Sequence, residues 1–283
     1  SFAFPRKIVD RLAEEGATGF PMVPAMAALL GGMKDLEPGF LPKLRYVTSA
    51  AAALPPALSG RLQALLPETK IVVMYGQTEC LRVSFLPADE LAGRPTSVGV
   101  AIPGTRAYVV DETGEPAEPG TIGELVVEGP HVMGGYWGDD RSSQAALEVT
   151  KHGRRLRTGD LFHVDAEGFL HFVSRKDDII KTRGEKVSPQ EVERVLYALP
   201  GIREAAVAGI DDPIFGQVVR AYVALEPGAG LSEKDIIRHC AGQLEDYMVP
   251  KSVEFRDALP KTTTGKIRLS AGAETEPQLE NAL

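Results

Sequence analysis

Cysteine is nearly absent from this chain of 283 residues: Cys80 and Cys240 are the whole supply, and they form no Cys-x-x-Cys pair. That excludes a disulfide framework and makes a reducing cytoplasm the default setting. The five histidines (His131, His152, His163, His171 and His239) lack the i, i+4 spacing of a helical zinc motif. His163 and His171 fall on what read as neighbouring strands, a placement that chance explains. No apolar run approaches the roughly 18 residues that cross a bilayer. The opening SFAFPRKIVDRLAEEG reads as an amphipathic helix and not as a signal peptide. Positive charge is also short, with 31 Lys and Arg against 39 Asp and Glu for a net −8. A nucleic-acid-binding surface needs the opposite balance, whereas a local basic patch for a phosphorylated ligand is compatible with it.

What is there suits a globular protein of one large or two unequal domains, with 43% apolar and 25% charged residues. Up to about residue 75 the pattern alternates helix and strand, as in an α/β layer. Pro56–Leu66 reads as a helix between strands at Leu44–Thr48 and Lys70–Met74, the βαβ unit of a parallel sheet. Tyr75 onward then lies at a strand's carboxyl end, where such sheets bind ligands. From about Ser97 the signals turn to β, with strands at Arg106–Asp111 and Gly123–Glu128 and a hairpin of Leu161–Asp165 with Phe169–Ser174. A small distorted β-barrel or sheet attached to the α/β layer is expected. A third unit starts near Arg175. Ser188-Pro189-Gln190-Glu191 reads as an N-cap, a proline at the first helical position and a capping-box glutamate. A helix to Leu199, strands at Ala205–Ile210 and Val218–Leu225, a second capped helix at Ser232–Leu244 and a strand at Ser252–Phe255 make an α+β domain. Ala271–Leu283 reads as a loose tail.

Three polar clusters carry candidate chemistry. Tyr75-Gly76-Gln77-Thr78-Glu79 follows a strand. Its glycine permits a sharp turn, its hydroxyl suits a phosphate oxygen and its carboxylate suits Mg²⁺. The second cluster runs Arg157-Thr158-Gly159-Asp160, Ser174-Arg175-Lys176-Asp177-Asp178 and Lys181-Thr182-Arg183-Gly184-Glu185-Lys186. An aspartate after Thr-Gly can accept bonds from two ribose hydroxyls, and Arg175 can add charge-assisted ones. Taken alone, this cluster reads as a solvated charge run between domains, the usual meaning of such a run. The third, Leu259-Pro260-Lys261-Thr262-Thr263-Thr264-Gly265-Lys266-Ile267, is not a Walker loop. Pro260 stands where that loop needs glycine, and Ile267 where it needs Ser or Thr. A lysine on a flexible loop remains.

Taken in order, Tyr-Gly-x-Thr-Glu, Gly-Glu-Leu with Gly-Tyr-Trp, Thr-Gly-Asp, Arg-x-Asp-Asp-x-Ile-Lys-x-Arg-Gly and Pro-Lys-Thr-x-x-Gly-Lys closely resemble the adenylate-forming superfamily. That superfamily comprises acyl- and aryl-CoA ligases, luciferase and the adenylation domains of peptide synthetases. The resemblance runs from about Val23 to Arg268. It implies ATP-dependent activation of a carboxylic acid as an acyl-adenylate, with Mg²⁺, followed by transfer to a thiol. The acceptor is coenzyme A in the leading reading and the phosphopantetheine of a separate carrier protein in the second. A nucleotide-binding scaffold without catalysis is the non-enzyme alternative. By resemblance Tyr75 packs on adenine beside Gly76, Thr78 meets the α-phosphate, Glu79 binds Mg²⁺, Asp160 holds the ribose and Arg175 assists. Lys266 is the catalytic lysine, Asp177 the hinge, and Gly184 faces the thiol tunnel. The Ser49–Ala52 stretch lines the acyl and adenine pockets. Residues 1–176 then correspond to the later part of the large AMP-binding domain, and 177–283 to the small mobile one. The loop that wraps the β- and γ-phosphates has no match, so a missing N-terminal half and inactivity of this chain alone are expected. Ala50 and Gln217 depart from the superfamily's frequent glycine and glutamate, and Arg268-Leu269 from its last motif.

Overall fold

In the computed structural model, residues 5–33, 35–151, 153–262, 267 and 269 are described. The chain opens with α1 (Pro5–Glu14), β1 (Gly19–Met22), α2 (Pro24–Gly31), β2 (Tyr46–Ser49), α3 (Pro56–Leu65) and β3 (Lys70–Tyr75). Pro24 and Pro56 stand at the first positions of α2 and α3, where a missing amide proton costs nothing and φ is already helical. β1, β2 and β3 are parallel, in register at Val47↔Phe20 and Val47↔Ile71. The expected βαβ unit is therefore β2–α3–β3. α3 buries Leu58 and Leu62 while β3 buries Ile71 and Val73. β1 is an addition to the sequence reading, because Gly19–Met22 contains a proline and only four residues.

Antiparallel strands continue the same sheet: β4 (Ser84–Leu86), β5 (Ser97–Ala101), β6 (Arg106–Val110), β7 (Gly123–Glu128), β8 (Leu147–Thr150), β9 (Gly153–Val164) and β10 (Leu170–Arg175). Among the described residues the order is β1-β2-β3-β4-β5-β10-β9-β7-β6, with β8 on β9. The β-rich region is thus joined to the α/β layer through β4 and β5. A short helix, α4 (Asp140–Ala146), precedes β8.

The second sheet is built from β11 (Ile180–Thr182), β12 (Glu185–Val187), β13 (Ile202–Asp212), β14 (Gly216–Leu225) and β15 (Ser252–Phe255), with α5 (Pro189–Ala198) and α6 (Glu233–Ala241). α5 buries Val192, Val195 and Leu196, and α6 buries Ile236 and Cys240. Each fully buried aliphatic side chain contributes about 1.5–3 kcal/mol. Ser232 and Asp235 form the expected reciprocal cap of α6. The expected cap of α5 does not form: the Ser188 hydroxyl donates to the Val173 carbonyl at 2.6 Å and ties the helix start to β10. Arg183-Gly184 closes a two-residue hairpin between β11 and β12 with both residues at positive φ, 53° and 85°. That geometry matches the twist of paired strands and was hidden in the sequence by the surrounding charges. Across the two sheets, Arg61 pairs with Glu226 at 2.8 Å and Lys186 with Glu112 at 3.4 Å. Cys80 and Cys240 are separate buried thiols. Among the described residues no helix is long and apolar enough to cross a membrane. The tail at 271–283 lies outside the described residues.

Candidate functional site

Strands β1 and β2 end in register at Met22 and Ser49, opposite Val73, β3 continues to Tyr75, and the polar motifs gather beyond this edge. β3 hands Tyr75 directly to Gly76. A methyl group on Gly76 would lie 1.8 Å from the Leu81 carbonyl oxygen, so only glycine permits the loop to close on itself. The close approach, more than a turn conformation, explains this glycine. Val83 N–H bonds the Tyr75 carbonyl at 2.9 Å and starts the return strand β4.

Thr158-Gly159-Asp160 lies inside the long strand β9, not in a connecting loop. Against β7 the register runs Glu124↔Leu161 and Val126↔Arg157, so these three residues stand opposite Leu125 alone. The bulge is fixed by Gly159 at φ 70° and by the Thr158 hydroxyl donating to the Leu125 carbonyl at 2.8 Å. Bulges of this kind re-aim a side chain out of the ladder. Here the side chain is Asp160, only 4% exposed. Its Oδ2 accepts the Tyr75 hydroxyl at 2.7 Å and Gln77 Nε2 at 2.7 Å. Its Oδ1 accepts Arg175 Nε at 3.3 Å from the directly paired position on β10. A carboxylate offers about four lone-pair sites, so acceptor capacity remains for a ligand. Burial pushes the Tyr75 phenol pKa far up, and the Asp160 charge beside it adds to the shift. Tyr75 therefore stays a neutral donor. Its ring meets Phe162 edge-on at 4.8 Å.

Glu124 from the Gly-Glu-Leu motif holds the bulge from behind. Its Oε1 accepts the Gly159 amide at 3.1 Å, and its Oε2 accepts Arg157 Nη2 at 2.9 Å. At the mouth, Thr78 is exposed. Beside it, Glu79 Oε1 accepts the Tyr136 hydroxyl at 2.8 Å, and the Glu79 carbonyl accepts the Met133 amide. No described residue bonds the second Glu79 oxygen, which leaves a hard oxygen donor of the kind Mg²⁺ takes alongside phosphate and water. The described residues hold no cluster of three His, Cys, Asp or Glu, so protein alone would not complete the ion's shell. Ser49 Oγ, at the end of β2, is buried without a hydrogen-bond partner, and Ala51 just after it sits at φ 78°. An orphaned hydroxyl beside a strained residue marks a place that a ligand or water completes.

The geometry thus gathers Tyr75, Gly76, Asp160 and Arg175, with Thr78 and Glu79 on the adjoining loop. Gly184 belongs to the hairpin in the second sheet and makes none of these contacts, while Lys266 lies outside the described residues. Sequence reasoning gave no role to Gln77, Glu124 or Tyr136. All three stand inside the quoted motifs, but only tertiary contact reveals what they hold. Gln217, one of the departures from the superfamily pattern, accepts the Lys181 amide at 3.0 Å and serves the sheet.

Comparison with known proteins bears on the family. Residues 1–137 match the AMP-binding enzyme family, and residues 191–266 match the AMP-binding enzyme C-terminal domain. The chain is 36% identical over 262 residues to a long-chain-fatty-acid–CoA ligase of Bacillus subtilis (strain 168), covering 92% of this chain and 45% of that protein. It is 35% identical over 264 residues to a feruloyl-CoA synthase of Amycolatopsis, covering 93% and 52%. The chain spans about half the length of the curated relatives it matches. Among solved structures, ATP-bound MatB from Rhodopseudomonas palustris superposes with a TM-score of 0.82 at 33% identity, covering 93% of this chain and 51% of MatB. The apo form of MatB gives 0.70 over the same coverage. From motif order, strand topology and these matches together, the chain belongs to the adenylate-forming superfamily.

Proposed function

We propose that this chain is the nucleotide-handling part of a longer AMP-forming acid–thiol ligase, an acyl-CoA synthetase acting on a fatty acid or related acid. The observation that carries the reading is the Asp160 carboxylate. It is buried at the end of a parallel layer, oriented by Tyr75, Gln77 and Arg175, and keeps acceptor capacity for a vicinal diol. The B. subtilis relative's name supports a fatty acid, and both curated relatives are named for transfer to CoA. A carrier-protein phosphopantetheine is the alternative acceptor, since it presents the same thiol. Two buried free thiols suit a reducing compartment such as the cytoplasm.

In this reading the acid's carboxylate oxygen attacks the α-phosphorus of ATP, and pyrophosphate leaves. Asp160 and Arg175 hold the ribose end, Tyr75 lies against the adenine, and Thr78 donates to the α-phosphate. Glu79, steadied by Tyr136, holds Mg²⁺, which neutralises phosphate charge when bound. Lys266 meets the charge that grows on the phosphate and carboxylate oxygens, a contact stronger in the transition state than before it. The thiol then attacks the acyl carbon, losing its proton, and AMP leaves. We assign residues 1–176 to the large domain and 177–283 to the small one, with Asp177 as the hinge. Rotation there would swap Lys266 for the Gly184 hairpin beside the thiol. The ten-stranded sheet ending at Arg175 and the five-stranded sheet beginning at Ile180 support that division.

The test is ATP–pyrophosphate exchange by the full-length enzyme across acids of graded chain length, followed by product analysis with CoA or with carrier protein. Acid-dependent exchange with CoA thioester formation is expected. Nucleotide binding without exchange for any acid would favour the scaffold.

A further inference from the structure

The carboxylate behind the Asp160 bulge has no task in the mechanism above, although it is nearly as enclosed as Asp160 itself. Glu124 is only 8% exposed and lies on β7, whose six residues are all buried. Its two oxygens meet different partners. Oε2 accepts Arg157 Nε at 3.2 Å and Nη2 at 2.9 Å, and Lys176 Nζ lies 3.7 Å from it. Among the described residues Oε1 accepts only the Gly159 amide, at 3.1 Å. Arg157 also comes within 3.6 Å of Glu148, so its charge does not depend on Glu124 alone. A carboxylate kept only to neutralise Arg157 would turn both oxygens to the guanidinium fork.

The Gly159 amide needs that oxygen. Glu124 and Val126 are paired with Leu161 and Arg157 of β9, so Gly159 falls within the bulge and has no register partner on β7. Its carbonyl accepts the Lys176 amide at 2.9 Å. An amide shielded from water without an acceptor is costly, and here a side-chain oxygen from β7 stands in for the missing ladder partner. Asp160 is the next residue in the chain, and its own amide donates to the Thr158 hydroxyl at 3.1 Å. A Gly159 peptide that turned to find another acceptor would swing the Asp160 carboxylate away from Tyr75, Gln77 and Arg175.

We propose that Glu124 is a positioning residue that sets how well the site tells a ribonucleotide from a deoxyribonucleotide: by holding the Gly159 amide it fixes the bulge that presents Asp160 to the ribose diol. This rests on the assignment of Asp160 to the ribose above. Glu124 acts through the bulge and not on the nucleotide. Its bond to the Gly159 amide, more than its charge opposite Arg157, carries the effect.

Titration calorimetry of the full-length enzyme tests it, with ATP and with dATP, which lacks one of the two ribose hydroxyls, and with no acid present. The wild type should bind ATP about 10–100-fold more tightly than dATP, the effect of one hydrogen bond to a charged group. Glu124→Met keeps the bulk of the side chain but removes the acceptor, and should bring that preference below about threefold. Glu124→Gln retains an oxygen for the Gly159 amide and should recover part of the preference. A purely structural role would weaken both nucleotides alike and leave their ratio unchanged. An unchanged ratio in Glu124→Met, or a Glu124→Gln variant with no more preference than Glu124→Met, would overturn the proposal. Thermal melts verify folding. Should Glu124→Met fail to fold, the double variant with Arg157→Met, which strands no guanidinium, decides by the same criteria. Asp160→Ala, run alongside, separates the two levels. If the wild type binds both nucleotides alike, or Asp160→Ala keeps the preference, the ribose assignment is wrong. If Asp160→Ala loses it while Glu124→Met keeps it, only the positioning role is wrong.

Discussion

Asp160 and Glu193 are both carboxylates packed into the fold, one in each sheet region, and their surroundings are opposites. Asp160 accepts from a phenol, an amide and a guanidinium drawn from two separate segments, and its hydroxyl partner is 85 residues away in sequence. Glu193, on α5, accepts one bond from the Val207 amide at 2.9 Å and has no cation partner among the described residues. Burial pushes its carboxyl up to about 7. The first environment orients a charge acceptor and leaves capacity for a ligand. The second raises the affinity of a carboxyl for its proton and ties a helix to β13. Burial alone marks neither as functional; the donors around the group do. Under the proposed function the ten-stranded sheet supplies the nucleotide-binding edge, and the small domain carries Lys266.

The comparison breaks most sharply at Lys266. In the full-length enzyme Lys266→Ala should slow adenylation by about 10²–10³ and leave thiol attack on preformed acyl-adenylate nearly unchanged. Single-turnover measurement of each step checks this, with thermal melts to verify folding. Equal loss in both steps would make the small unit a structural support.

The next effect concerns stability and belongs to Glu193 alone. Its folded value lies above the ordinary 4.5, so the folded state holds the proton longer than the unfolded state. Stability is then fullest below about 4.5 and falls as pH rises towards 7, by on the order of 3 kcal/mol. Glu193→Gln keeps the acceptor for Val207 and should flatten that fall. Melts of the 283-residue chain between pH 5 and 8 read it directly, and an unchanged slope in the variant would dismiss the buried-acid reading.

Asp160→Ala should raise the KM for ATP by an amount worth about 1–3 kcal/mol while the acid's affinity changes little. An unaltered KM for ATP would make Asp160 merely another structural carboxylate. Smallest of all, Gln77→Leu removes one of the donors that orient Asp160 and should raise the KM for ATP about 3–10-fold, with kcat less affected. A change in kcat alone would place Gln77 elsewhere in the mechanism.

Much of the framework was legible because its signals are local. Proline at the first positions of α2, α3 and α5 and the Ser232–Asp235 cap of α6 all read directly from neighbouring residues. Even His163 and His171, assigned to neighbouring strands, do face each other across the hairpin with their rings stacked at 4.7 Å. Ser188 shows the limit: its hydroxyl could serve α5 or a distant carbonyl, and Val173 wins only because β10 passes beside it. β11 and β12, three residues each, are too short for periodicity to show.

The same division holds at the site. By itself the sequence determined the chemistry available: which glycines, carboxylates and lysines exist, in what order, and that the order is that of adenylate-forming enzymes. Tertiary structure alone decided what each group faces. The Thr158–Asp160 bulge exists because three residues of β9 must pass one residue of β7, and that mismatch belongs to the pairing, not to either strand. Gln77 becomes an orienting donor only when that bulge brings Asp160 to it, and Glu204 acquires its partner Lys261 only when the segment after β15 returns along β13. Strand register is a long-range property, and contacts that depend on it are written in no single stretch of sequence.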